Sequence, residues 1–570
     1  MDMHRIISSA RSGKADLLFK NARIVNVFSG EIITGNIAVT AGYIVGTGDY
    51  SAEQTVDAAG RFAAPGFIDS HVHIESSMAS VSEFVRALLP CGTTSVVADP
   101  HEIANVLGSK GIEYMLHSAE NQPMNILFSL PSCVPASDME TSGASLGAEE
   151  LAAFMGKDRI PALAEMMNYP GVIWENPDVL AKIELARKHR KPVDGHSPGL
   201  TGNGLNAYAA AGISSDHECT DAEDAREKLR AGMFIMVREG TGARNLDALF
   251  PLINEKNFHR IMWCTDDRHP HDILDEGHID YIVRRAVALG LDPVMAIQMA
   301  TVNPARYFRI RDAGAIAPGY RADILLFSDI NAPRAEQVWC KGILCAENGK
   351  MLPHIQFPAL RSPPEAMHLQ PEDVDFSIPA QGNSIRVIEI IPNQLITQQC
   401  ILPVKVSGGW AVADPEADIL KITVTERYSG QGRTGKGFIK GLGLKKGAIA
   451  ASVAHDSHNI IAAGADDRDM KSALQRVVEM KGGFAVACEG KILASLALPI
   501  AGLMSPEPLS VIREGMDEVL RAARTLGGSL HDPFMTLGFM ALPVIPELKI
   551  TDKGIVDVKK FEIVPLFADA

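Results

Sequence analysis

Between residues 62 and 305 the chain repeats one hydrophobic pattern: a short apolar run, a polar break, then apolar positions spaced for one helix face. The runs at 66–73, 94–99, 125–131, 160–166, 192–196, 213–217, 234–239 and 260–266 have the length of strands. Between the first two, Val81, Phe84, Val85, Leu88 and Leu89 stand at i, i+3, i+4, i+7 and i+8, the stripe of an amphipathic helix. Eight strand–helix units in about 240 residues match the size of a (β/α)8 barrel. A doubly wound open sheet is the alternative, but no G-x-G-x-x-G follows the first strand.

The pattern changes on both sides of this region. Residues 16–60 alternate as short strands with turn signals at Ser29-Gly30 and Ala41-Gly42. Strand-like text returns at 322–327 and 337–340, so 1–64 and 306–353 are expected to form one small discontinuous β domain around a barrel at 65–305. Pro358, Pro363, Pro364, Pro371 and Pro379 then break all periodicity, which predicts a linker over 354–383. Residues 384–570 mix strand runs with amphipathic helices near 470–480 and 511–525, a C-terminal mixed α/β domain. The fold class is therefore α/β, with three domains expected inside the two to four that 570 residues suggest.

Composition narrows the partners. The net charge of −15 and the lack of any Lys/Arg block argue against nucleic acid, whose binders neutralise phosphates with a basic face. The longest apolar runs, such as 492–504, reach about thirteen residues and are interrupted by Pro499, too short for a membrane span. The N-terminus has no apolar core of the signal-peptide kind. Eight cysteines without a C-x-x-C pair suit a reducing compartment. A cytoplasmic homo-oligomer, a dimer, is the expectation.

Candidate chemistry emerges when only the strand ends are read, because barrel enzymes carry their sites there. The first strand ends in His71-Val72-His73, and period-two geometry puts both imidazoles on one face. The second ends in Asp99-Pro100-His101-Glu102, the fourth at Glu165, the fifth at His196 and the sixth at His217. Arg238-Glu239 closes the seventh and Asp266-Asp267 the eighth. Taken singly, each has an ordinary reading as a strand histidine or a helix N-cap. Together, four histidines and two carboxylates at the ends of one barrel would be costly to bury unless a divalent metal drew on them as ligands.

The segments PGFIDSHVHIESS, ADPHE, DGHSPG, SSDHE, VREGT and CTDDRHP resemble the amidohydrolase superfamily and, within it, the adenine deaminases, over essentially the whole chain. The resemblance implies a metal-bearing barrel, a flanking β domain, a dedicated C-terminal domain and hydrolysis of adenine to hypoxanthine and ammonia. It implies two divalent ions per subunit, manganese or iron, with zinc compatible with the same donors. His71 and His73 would hold the more buried ion, Glu165 would bridge where many relatives have a carboxylated lysine, and His196 and His217 would hold the second. Asp266 would ligate and shuttle the proton, Asp267 being the alternative.

A water held by the metal, its pKa lowered toward ~7, would attack the purine, with Asp266 acting as base and then as acid. His101 and Glu102 are candidates to assist protonation, and Arg238 and Glu239 to read the purine edge. The polar run at 455–459, with His455 and His458, is expected to face the substrate or to hold an extra metal. The zinc deaminases of the H-x-E…P-C-x-x-C type are excluded, since no C-x-x-C occurs. Two other readings stay open: an amidohydrolase acting on a cyclic amide or another aminopurine, and a catalytically silent barrel scaffold.

Overall fold

Ahead of Phe67, alternation of apolar and polar residues produces β1 (Lys14–Asn26), β2 (Glu31–Thr40), β3 (Tyr43–Thr47), β4 (Ser51–Asp57) and β5 (Phe62–Pro65) in the computed structural model. That model describes residues 2–392 and 394–568. The long β1 is the hub: it pairs antiparallel with β2 and parallel with both β4 and β5.

The repeated pattern then gives β6 (Phe67–Val72), β7 (Thr93–Ala98), β8 (Asn125–Phe128), β9 (Leu163–Met166), β10 (Val193–Gly195), β11 (Ser215–Asp216), β12 (Phe234–Arg238) and β13 (Ile261–Cys264). Among the described residues these form three parallel sheets, β6-β7-β8, β9-β10 and β11-β12-β13. Single parallel bridges stand between them at Leu130–Leu163, Val193–Ile213 and Val72–Asp266. Every residue of β6, β7, β9 and β13 is buried, which suits strands covered on both faces. The helix Val81–Leu88 buries Val81, Phe84, Val85 and Leu88, the stripe read from the sequence. Asn176, Asp221 and Asp292 cap later helices with their side chains, and Pro177 and Pro293 occupy first-turn positions where no N–H is needed.

After this region β14 (Ile324–Phe327), β15 (Gln337–Cys340), β16 (Ile343–Glu347) and β17 (Lys350–Met351) return to the first sheet, where β14 pairs antiparallel with β5. Its order is β17-β16-β15-β14-β5-β1-β2-β3, with β4 also on β1. Phe19 and Trp339 meet edge to face with ring centroids 4.9 Å apart, so the two stretches share one core.

The C-terminal part is built on an eight-stranded sheet running from Thr397–Pro403 at one edge to Lys491–Ala497 at the other. The helix Asp467–Glu479 lays Met470, Ala473, Leu474 and Val477 on it. Leu369, Val374 and Phe376 join the same cluster, so the proline-bearing stretch is fastened along the sheet instead of swinging as a tether. Loops of the strand–helix region dock here too. Thr141 donates through N and Oγ1 to Asp552 at 2.8 and 2.7 Å, Thr551 Oγ1 donates to Met139 O at 2.6 Å, and Arg513 forks onto Asp275 at 2.6 and 2.9 Å. Among the described residues no helix is long and apolar enough to cross a membrane.

Buried in this core are the ammonium of Lys421, paired with Asp467, and that of Lys549. Lys549 is fully buried, donates to Leu395 O at 2.8 Å and Phe539 O at 3.0 Å, and burial pulls its pKa down to about 7. An unfolded lysine titrates near 10.4, so below pH 7 the folded chain carries the whole cost of the buried charge. That cost fades as pH rises from about 7 toward 10. The melting temperature of Lys549→Met, compared with the parent chain, is therefore expected to be more favourable at pH 6 than at pH 9. Scanning calorimetry at both pH values checks it, and a difference independent of pH would contradict the depressed pKa.

Candidate metal centre

Strand ends bring the polar groups together. His71 and His73 lie on the same side of β6 and its end, with their Nε2 atoms 3.1 Å apart. His73 turns Nδ1 to the Asp99 carbonyl at 3.1 Å and donates there, which leaves Nε2 as a lone-pair donor. Asp266 Oδ1 stands 3.4 Å from His71 Nε2 and 3.0 Å from His73 Nε2. Glu165 spans the centre. Its Oε1 faces His71, His73 and His101 at 3.8, 3.5 and 3.5 Å, while its Oε2 faces His196 at 2.7 Å and His217 at 3.3 Å. His71 and His217 stack with centroids 4.3 Å apart.

All but His196 are nearly sealed from solvent. Burial pushes the Glu165 carboxyl up, but its hydrogen bonds to His196 and His217 overcome this and hold it well below the carboxylate range. Burial acts likewise on Asp266, and Arg238, His71 and His73 outweigh it, so this carboxyl too is held well below its ordinary value. Asp266 adopts φ +57°, a left-handed conformation that an Asp tolerates better than most residues.

Arg238, read from the sequence as a purine contact, is committed elsewhere: it pairs with both Glu218 and Asp266. Glu239 accepts from Leu246 N at 3.1 Å and caps the next helix turn, away from the convergent donors. Glu218 was not singled out in the sequence. It follows His217 directly, and its Oε1 lies 3.4 Å from His217 Nε2 and 3.8 Å from His196 Nδ1. The donor sets His71/His73/Asp266, His71/Glu165/His217 and His196/His217/Glu218 each bring their atoms within 4.8 Å of one another, close enough to hold a cation.

Close strand approach sets this geometry. A Cβ at Gly195 would stand 2.2 Å from the Ser215 carbonyl oxygen, and backbone cannot yield as a flexible side chain does. Gly195 thus lets β10 and β11 place His196 and His217 side by side. Gly195→Ala is expected to destabilise the chain by about 1–3 kcal/mol and to lower the metal content of the purified protein. A normal melting temperature with full metal uptake would show that the strands can part.

Beside the centre lies a cavity with two kinds of wall. Glu75, Ser76, Glu102 and Asp267 come from the turns that follow strand ends, whereas His455 and Phe539 belong to the C-terminal part. Ser76 Oγ is 2.5 Å from Asp267 Oδ1 and 3.1 Å from Glu102 Oε1. A hydroxyl has one proton to give, so one of these carboxyls brings its own. Burial, with Glu75 and Asp267 close by, pushes Glu102 up to about 8, which marks it as the protonated partner at neutral pH. His455 stacks on Phe539 at 4.5 Å and 14°, and Phe484 and Phe534 complete the apolar wall. Glu75 and Ser76 carried no signal in the sequence beyond lying one turn past a strand end, while Asp267, read there as the alternative to Asp266, lies on the Ser76 side of the cavity.

The Amidohydrolase family model matches residues 62–351, and the model of the Adenine deaminase C-terminal domain matches residues 394–562. The chain is 51% identical over 564 residues to the adenine deaminase of Desulfatibacillum aliphaticivorans, covering 99% of each chain. It is 49% identical over 557 residues to adenine deaminase 2 of Carboxydothermus hydrogenoformans, covering 97% of each. The adenine deaminase of Methanothrix thermoacetophila is 48% identical over 574 residues, the whole of both chains. Among solved structures, a dihydropyrimidinase from Brevibacillus agri aligns with a TM-score of 0.47 at 14% identity, covering 59% of this chain and 96% of its own.

Proposed function

The chain belongs to the amidohydrolase family, among its adenine deaminases, and on that footing we propose that it hydrolyses adenine to hypoxanthine and ammonia at the strand-end centre. The observation that carries the reading is the split of Glu165, one oxygen toward His71 and His73 and the other toward His196 and His217. The three isolated bridges support closure of β6–β13 as a (β/α)8 barrel. The shared sheet and the extended stretch support division into a small β domain (1–64 and 306–353), the barrel (65–305), a linker (354–383) and a C-terminal domain (384–570).

The donor set suits divalent metal. Imidazole nitrogens converge on ionised carboxylates inside a buried site, where they must share protons unless a cation sits among them and takes up their lone pairs. His71, His73 and Asp266 would hold one ion, His196 and His217 the other, and Glu165 both, with manganese or iron the proposed metal. When bound, such ions act as Lewis acids and make water a nucleophile near neutral pH.

The residues of the chain supply the rest. The stacked His455–Phe539 pair offers a flat aromatic face to the purine plane, and the Phe484 and Phe534 wall keeps bulk water out. Glu102, sharing its proton with Ser76 and Asp267, protonates the ring nitrogen next to the amino-bearing carbon. Asp266, kept ionised by Arg238, accepts a proton from the attacking water at Oδ1 and passes it to the departing amine. As the amine leaves, the hydroxyl proton of the adduct reloads Glu102, so that water's two protons account for the one gained by the ring nitrogen and the one gained by ammonia, and both residues return to their starting states. A larger cleft between the barrel and the C-terminal part shares His269, Asp532, Met535 and Phe539 with the cavity and serves as the way in. All eight cysteines are free thiols, which supports the cytoplasm as the compartment.

Ammonia release from adenine, guanine, cytosine, hydantoin and dihydroorotate, run with elemental analysis of the protein, tests the proposal. Adenine is expected to be the substrate turned over, with about two metal equivalents bound. Inert adenine beside an active cyclic amide would overturn the substrate, and a well-folded protein that binds no metal would overturn the centre.

A further inference from the structure

The C-terminal run 455–459 reaches the centre by a route that only the fold reveals. Ser457 Oγ donates to Glu140 of the loop after β8, and Asn459 Nδ2 donates to Thr141 O at 2.8 Å. Tyr428 Oη donates to the Ser457 carbonyl from the other side. Thus pinned, His458 is fully buried at φ +53°, a conformation its neighbours hold in place. Its Nδ1 accepts from Ala454 N at 3.3 Å, so the imidazole proton resides on Nε2. That Nε2 has no hydrogen-bond partner, and the carboxyl facing it is Glu102, with Oε2 at 3.7 Å. Glu102 Oε1 is the oxygen turned to Ser76.

Glu102, His455 and His458 bring donor atoms within 4.8 Å of one another, which admits a third metal. The tautomer speaks against it: a ligating Nε2 would put the proton on Nδ1, against the Ala454 N–H. Direct contact with substrate is disfavoured as well, since His455 lines the cavity and His458 does not.

We propose that His458 is a positioning residue, which acts on the purine only through Glu102 by presenting its Nε2–H to Oε2 and so keeping Oε1 turned to Ser76 and the cavity. The proposal rests on the adenine deaminase reading above, in which Glu102 protonates the ring. It means that the proton donor of the barrel is aimed by a side chain from a different part of the chain.

The test uses the full-length, metal-loaded enzyme and steady-state kinetics with adenine. His458→Asn is expected to lower kcat roughly 10- to 100-fold, the usual scale for lost outer-shell partners, with KM within threefold and metal content unchanged. His458→Gln, whose amide N–H reaches the place of Nε2–H, is expected to recover most of the lost kcat. In a Glu102→Gln background, His458→Asn is expected to add no further loss, because residues that act as a unit are not additive. Multiplying losses in the double variant, equal activity of the Asn and Gln variants, or a missing metal equivalent in either would each overturn the proposal. Failure of the underlying reading is distinguishable, for then the parent enzyme releases no ammonia from adenine, or Glu102→Gln alone leaves kcat intact.

Discussion

Glu165→Gln is expected to stop adenine turnover, lowering kcat by more than the roughly 100-fold seen when a metal ligand merely loses its outer-shell partner, and to leave the protein short of metal. The reason is that both oxygens are in use. Oε2 serves His196 and His217, and Oε1 serves His71, His73 and His101. An amide has the same shape, but it carries no charge and turns an N–H toward one of the two histidine groups. Either orientation spoils one side of the centre. Far-ultraviolet circular dichroism should remain that of the parent, because the carboxylate is not part of the hydrophobic core. Elemental analysis and ammonia release measure the two effects separately. Full metal content with near-native kcat would remove Glu165 from the centre altogether.

Asp266→Asn carries the second large effect, a fall in kcat of about 10²- to 10⁴-fold, the contribution of a positioned acid–base group. Here most of the metal should stay. Asp266 serves one side of the centre, and asparagine tolerates its left-handed φ of +57° at least as well as aspartate does. What is lost is the oxygen proposed above to take and return a proton. Arg238 would still be paired with Glu218, so the local charge balance survives. Kinetics with metal-saturated protein, alongside elemental analysis, separates this outcome from that of Glu165→Gln. Near-wild-type kcat would pass the shuttle role to Asp267, which lies on the Ser76 side of the cavity.

The features legible in the sequence are those written locally. A strand-end His-x-His needs only period-two geometry, and His71 and His73 indeed face each other. Glu165, His196, His217 and Asp266 each close a short apolar run, and the structure gathers them around Glu165 and the His71–His73 pair. Long-range partnerships were not legible. Nothing near Arg238 announces that its guanidinium is taken up by Glu218 and Asp266, and Glu218 reads in sequence as one more polar residue after a strand. The Ser76–Glu102–Asp267 chain joins residues that follow three separate strands, and Thr141 meets Asp552 across 411 positions. Such pairings depend on where strands end in space, which apolar periodicity does not encode. The proline-bearing stretch shows the converse: breaks in periodicity predict loss of regular structure, but they do not say whether the chain lies free or is packed down, as Leu369, Val374 and Phe376 are.

The first sheet has a consequence for how the chain is made. β5 pairs with β1 on one side and with β14 on the other, yet β5 ends at Pro65 and β14 begins at Ile324. A ribosome adding 5–20 residues per second takes on the order of ten to fifty seconds to cover that interval. For all that time the newborn strands β1–β5 present an unpaired edge at β5, the kind of surface that invites pairing with another nascent chain. The whole strand–helix region emerges within this window. The earliest-made strands of the protein are thus completed only after the whole strand–helix region has been made, and the edge of β5 is where a holding chaperone would find its grip.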